Sequence, residues 1–319
     1  MIKFGRVYPW VLAITIAFAG ARPTSCLAYQ TTQSFLSYGS TITVHIEPEP
    51  PPVSEAAVLA WVRTAARAVS AYYGRFPVSD VRVMIDTGDH GGRIHHGVTY
   101  RGRRITIDLA QDTREEDFGR DWELTHEMFH LAFPLLDEDY DWMGEGLSDY
   151  MEPIARVRIG TLSVPIVWRD LVEGLPKGLP KAADQGLDHT HTWGRIYWGG
   201  TLYWLLADLE IRRRTQGKRS IHDALQAILD AGGNGRTSWD LDKVLDVGDK
   251  ATGTRVLHEL HDRMGDKPYA PDLDDLWKRL GVIYNHRQIT FDEAAPEAAL
   301  RKSITDNVIS APPTLTNAP

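Results

Sequence analysis

The stretch Trp122–Met151, WELTHEMFHLAFPLLDEDYDWMGEGLSDYM, constrains this chain more than any other. It contains His126, Glu127 and His130 in an H-E-x-x-H pattern. On a helix, histidines four residues apart project from one face, one turn apart. Both imidazoles then reach a single metal ion. Glu127 stands about 100° round the same helix, beside the metal position, where a carboxylate handles the proton of a water. Downstream, in GEGLSDY, Glu145 offers a further carboxylate. Two histidines and one glutamate leave a fourth position open, the donor set of catalytic rather than structural zinc.

Chance produces H-E-x-x-H in about one chain in a hundred of this length, so the surroundings decide. Leu124, Met128 and Leu131 form an apolar stripe at helical spacing, which predicts a helix over 122–133. Asp117 and Asp121 are available to start it, and Pro134 stops it. A second helix is expected over about 144–158. On it Glu145 and Asp149, four residues apart, share a face.

H-E-x-x-H followed by a helix that opens Gly144-Glu145-Gly146 and carries Ser148-Asp149-Tyr150 resembles the gluzincin metallopeptidases. That superfamily includes thermolysin and the aminopeptidase N and glycyl aminopeptidase families. The resemblance implies an α+β, thermolysin-like zincin fold, with an N-terminal mixed α/β-sheet lobe and a mostly helical C-terminal lobe. It implies Zn2+ held by His126, His130 and Glu145, with Glu127 as general base. It also implies that Asp149 holds one ligand histidine, in keeping with the need of a ligating imidazole for a partner on its other nitrogen. Tyr197-Trp198-Gly199-Gly200 matches the Tyr-x-x-Gly helix start of the aminopeptidase-type members, whose tyrosine donates to the oxyanion. The run from Tyr197 to Ser220 is similar to the glycyl aminopeptidase family in particular. His189 and His191 are the alternative donors, since a histidine has this role in thermolysin. Tyr197 also reads as one of several core aromatics with Trp193, Trp198, Tyr203 and Trp204. No Gly-x-Met-Glu-Asn segment occurs, so the glutamate with which aminopeptidases of this kind grip a free amino terminus has no counterpart here. Endopeptidase action stays open.

Around this centre the chain reads as a globular protein. Of its 319 residues, 43% are hydrophobic and 24% charged, and the net charge of −8 gives no basis for nucleic-acid binding. Lys3 and Arg6, the apolar run Val11–Phe18 and the small residues to Ala28 predict a signal peptide over 1–28. The expected destination is secreted or periplasmic, with no stable membrane span after cleavage. The only cysteine, Cys26, lies within this leader, so no disulfide is expected. A sheet lobe is expected over 29–116, a zinc-binding helical lobe over 117–285, and a partly disordered extension over 286–319.

Thr41–Glu47, Val81–Asp86, Ile94–Tyr100 and Arg104–Leu109 read as strands and Ser54–Tyr73 as a helix capped by Ser54. In gluzincins the edge strand before the zinc helix pairs with substrate. Val98–Tyr100 and Ile105–Leu109 are both candidates for that strand. His90, His95 and His96 lie in a polar loop or cleft rim and lack the carboxylate or cysteine spacing of a metal site. Thr161–Asp184, rich in glycine and proline, reads as a surface excursion. The function these features support is a zinc peptidase acting on a peptide or protein substrate. The alternatives are an inactive peptidase-fold binding module and a zinc hydrolase of a non-peptide substrate.

Overall fold

The computed structural model describes residues 28–88 and 91–305. The leader, apart from Ala28, and the tail beyond Thr305 lie outside the described residues, as does His90. The first half is built on strands β1 (Thr31–Ser37), β2 (Ser40–Glu47), β3 (Asp80–Gly88), β4 (Ile94–Tyr100) and β5 (Arg104–Ala110), with helix α1 (Glu55–Tyr73) between β2 and β3. They form one sheet in the order β1-β2-β3-β5-β4. The three inner strands are mutually parallel, and β1 and β4 run antiparallel on the two edges. Period-two alternation does the sorting: Ile42, Val44, Ile46, Val83, Ile85, Ile105 and Ile107 are buried. The crossover through α1 is what joining the parallel strands β2 and β3 requires.

Ser54 caps α1 by accepting from the Ala57 amide at 3.2 Å, and Gly74 ends the helix in the left-handed region, as the sequence predicts. Sequence periodicity missed β1. Its TTQSFLS is mostly polar, with only Phe35 and Ser37 buried, and tertiary pairing to β2 defines it.

Short helix α2 (Glu115–Phe118) leads into α3 (Glu123–Phe129) and α4 (Asp141–Arg158). The helix expected over 122–133 is shorter: after Phe129 the chain tightens to one 3-10 turn, His130–Ala132, and Phe133 is extended. Pro134 explains this, because its ring disfavours helical backbone at the preceding residue. The excursion expected over Thr161–Asp184 instead contains α5 (Val164–Gly174), with Val167, Trp168 and Leu171 buried. Pro165 sits in its first turn, where proline starts a helix rather than breaking one.

Helices α6 (Gly200–Arg214), α7 (Ile221–Asp230), α8 (Leu241–Thr252), α9 (Val256–Met264) and α10 (Leu273–Leu280) follow. A hairpin of β6 (Val282–Asn285) and β7 (Gln288–Phe291) and a last helix, α11 (Ala298–Thr305), end the described chain. Arg301 and Ile304 of α11 are buried, so at least 298–305 of the expected extension is packed structure. One continuous apolar core runs from Phe35 in β1 to Ile304 in α11. Among the described residues no helix is long and apolar enough to cross a membrane.

Candidate metal centre

Helix α3 is short and buries polar groups, so it needs anchors. Asp121 accepts from the Glu123 and Leu124 amides at 3.1 and 3.3 Å, and the Trp61 indole donates to the same carboxylate at 2.8 Å. One aspartate thereby starts α3 and ties it to α1. Leu124, Met128 and Phe129 are fully buried. Each contributes roughly 1.5–3 kcal/mol, the same order as the cost of burying polar groups such as His126 and Glu127.

His126 and His130 point their Nε2 atoms into one space, 3.2 Å apart. The Glu145 Oε2 atom arrives from α4, 3.1 Å from one and 3.4 Å from the other. The donor atoms of these three side chains all lie within 4.8 Å of one another. On the far side of the His126 ring, the Asp149 carboxylate stands 2.9 Å from Nδ1. A carboxylate at that nitrogen favours the tautomer whose Nε2 is free to face the cluster. The four residues singled out by spacing and resemblance are thus together, and the donor set fits a divalent zinc-type ion.

The electrostatics describe a place built for positive charge. Burial alone would lower both imidazoles. The Asp149 and Glu145 carboxylates outweigh it and hold His126 well above its usual range. His130 is also raised against its burial, by Glu145. Burial would raise Glu145, yet the two imidazoles hold it far below the usual carboxylate range.

The cleft over this cluster is about 370 Å³, walled by Gly97, Val98, Thr99, Glu127, Glu145 and Tyr197 among others. Its roof is β4, which settles which strand is the edge: β5 lies inside the sheet, paired on both sides. The Thr99 hydroxyl donates to the Glu127 carbonyl at 2.8 Å and ties that edge to α3. Glycine at residue 97 gives the Glu127 side chain its room. A Cβ there would lie 2.7 Å from Glu127 Cγ and 3.1 Å from its Oε1.

Tyr197 reaches the cleft from a π-helical turn, Arg195–Gly199, just before α6. Its ring stacks at 6.0 Å from that of His126. Burial, and then the Glu145 carboxylate, push its phenol up, so it stays a neutral donor. The GEG and WGG motifs explain each other here. A Cβ on Gly146 would lie 2.2 Å from the Gly200 carbonyl carbon, and one on Gly200 would lie 2.1 Å from the Trp142 carbonyl oxygen. Two glycines let α4 and α6 touch backbone to backbone, which brings Tyr197 beside Glu145. The rivals of Tyr197 are elsewhere: neither His189 nor His191 lines the cleft, and His189 bonds to Asp266 at 2.8 Å.

Trp122 and Glu123 at the centre escaped sequence reasoning, and Trp193, one of the aromatics that reads as core, is instead 58% exposed. Trp122 meets the His126 ring edge-on at 5.4 Å, and Trp193 stacks on Tyr197 at 5.5 Å. Glu123, one turn before Glu127, is pushed up to about 7 by burial and by the neighbouring Asp121. Position i−4 from a key residue was the available signal for Trp122, Glu123 and Trp193.

No family model and no curated protein sequence matches the chain. Its shape is similar to that of solved structures. An aminopeptidase N family protein from Idiomarina loihiensis matches with a TM-score of 0.63 at 14% identity, over 80% of this chain and 49% of that one. An M1 zinc metallopeptidase from Deinococcus radiodurans matches with a TM-score of 0.51 at 17% identity, over 77% of this chain and 53% of that one. The chain therefore spans about half the length of these proteins, and over that half it shares their α+β fold.

Proposed function

We propose that this protein is a zinc-dependent peptidase, with the metal held by His126, His130 and Glu145. The observation that carries the reading is the meeting of that donor set with Glu127 and Tyr197 in one cleft beneath an edge strand. Zinc in such a site polarises the scissile carbonyl and makes water a stronger acid. Glu127 then takes the proton of the attacking water on its carboxylate and delivers it to the leaving amine nitrogen. Tyr197 donates its phenolic hydrogen to the developing oxyanion. Asp149 keeps the His126 tautomer and ring orientation. The free edge of β4 offers backbone groups to an extended substrate, as in strand addition. Residues 29–116 and 117–285 serve as the sheet and helical lobes of one thermolysin-like unit. Residues 1–28 direct the protein out of the cytoplasm, to a secreted or periplasmic site.

The test is metal analysis and proteolysis on protein beginning at residue 29. The expected result is one zinc per chain, lost or greatly weakened in Glu145→Ala. Glu127→Gln should keep its zinc yet cleave unfolded protein about 10²–10⁴-fold more slowly. Absence of zinc after reconstitution would remove the reading. Zinc with hydrolysis of only small esters or amides would move it to a non-peptide substrate.

A further inference from the structure

Trp193 and Trp122 are large apolar side chains left strongly exposed, at 58% and 45%, and both stand against the metal centre. Between them opens a second hollow of about 570 Å³, within the usual range of ligand sites of about 300–1,000 Å³. Asp149, Leu162, Ile166 and Trp198 are among its other walls. It shares no lining residue with the cleft that holds Glu127 and Glu145. The two spaces meet across Tyr197, which walls the cleft and stacks on Trp193 at 25° between ring planes. A group seated on Trp193 is therefore one ring away from Tyr197. That is the reach of a single residue, since consecutive Cα atoms stand about 3.8 Å apart.

The charges on the wall indicate what the hollow does not take. Glu152 pairs with Arg156 at 2.6 Å, Asp170 with Arg169 at 2.9 Å, and Asp149 faces His126. Glu173 accepts from Tyr284 at 2.5 Å. Every acid on the wall has a partner, so none is left to attract a cation. Lys177 lies over the Trp198 ring, 5.4 Å from its centroid. Arg120 and Lys177 also line the hollow, with no carboxylate paired to either among the described residues, so the wall holds two cations beside indole face and aliphatic surface, which binds apolar and above all aromatic groups.

We infer that this hollow is a substrate subsite taking a large, uncharged apolar side chain, aromatic by preference, next to the bond cleaved at the metal centre. This rests on the peptidase reading and names its substrate class.

Binding and cleavage are measured on one peptide series, acetyl-Gly-Gly-Gly-X-Gly-Gly-amide, with X as Phe, Leu, Ala, Arg or Glu. Calorimetry on the Glu127→Gln protein, with and without zinc, reads affinity apart from turnover. The Phe peptide should bind about tenfold or more tightly than the Ala peptide. Trp193→Ala and Ile166→Arg should each erase that ratio while the Ala peptide binds as before. Trp193 is surface-exposed, so its variant should fold even if the Ile166 variant does not. Aromatic preference lost in the variants, without any cleavage by the parent protein, would sink the peptidase reading and leave the hollow an aromatic-binding site rather than a substrate subsite. Equal affinity for Phe and Ala, preference for Arg or Glu, or a Phe preference untouched in Trp193→Ala would overturn the subsite.

Discussion

The proposed metal donors and the proposed oxyanion donor face the same space but are held in different ways. His126, His130 and Glu145 come from α3, the turn after it and α4, with His126 almost wholly buried and its second nitrogen facing Asp149. Tyr197 comes from a π-helical turn, is half-buried, and leans on a tryptophan that is itself exposed. His126 is held by packing, while His130 and Glu145 are partly open to the cleft. The tyrosine is fixed by its backbone, through the Gly146–Gly200 approach, while its ring lies at the cleft wall. On the proposed function, the contrast is a division of labour: one region would hold an ion in place, and the other would close on a substrate.

Three expectations would sharpen or break that division. The largest is Tyr197→Phe. Loss of an oxyanion donor should lower kcat by about 10²–10³-fold, with zinc content and melting temperature unchanged. Single-turnover kinetics beside metal analysis reads it, and a fall in zinc occupancy would merge the two regions.

Next is Asp149→Ala, which should weaken zinc binding by about 10–100-fold through the freed His126 ring. Competition with a chelator of known affinity measures it. Full affinity in the variant would mean that packing alone orients the histidine.

The smallest concerns pH. In metal-free protein, His126 and His130 are raised, so their carboxylate contacts contribute stability that is complete below about pH 6.5. That stability is lost as pH rises through the raised folded values. Zinc requires the neutral imidazoles and competes with those protons. The gain in melting temperature on adding zinc should therefore be smallest in acid and grow as pH rises. A gain independent of pH would place the ion elsewhere.

Much of the centre was legible in the chain. His126 and His130, and again Glu145 and Asp149, are spaced so that one helix face carries both members of each pair. Ser54 and Gly74 marked the ends of α1, and alternation marked β2, β3 and β5. The sequence left α5 unread because Gly174, Pro165 and Pro176 signal a loop. Its apolar stripe is recognisable as a helix once Val167, Trp168 and Leu171 have a core to enter. β1 was unreadable for the opposite reason, since its polar side chains have no periodicity and only the β2 ladder makes it a strand.

The sequence by itself determined which residues can share a helix face, because a helix repeats at a fixed rise and angle whatever surrounds it. Only the tertiary structure decided that Glu145 reaches both histidines, and that β4 rather than β5 is the free edge. It alone decided that Tyr197 and not His189 faces the cleft, and that two tryptophans border a second hollow. These depend on how faces far apart in the chain pack against one another. At Gly146 and Gly200 that packing turns on whether two backbones can touch, a property no local spacing encodes.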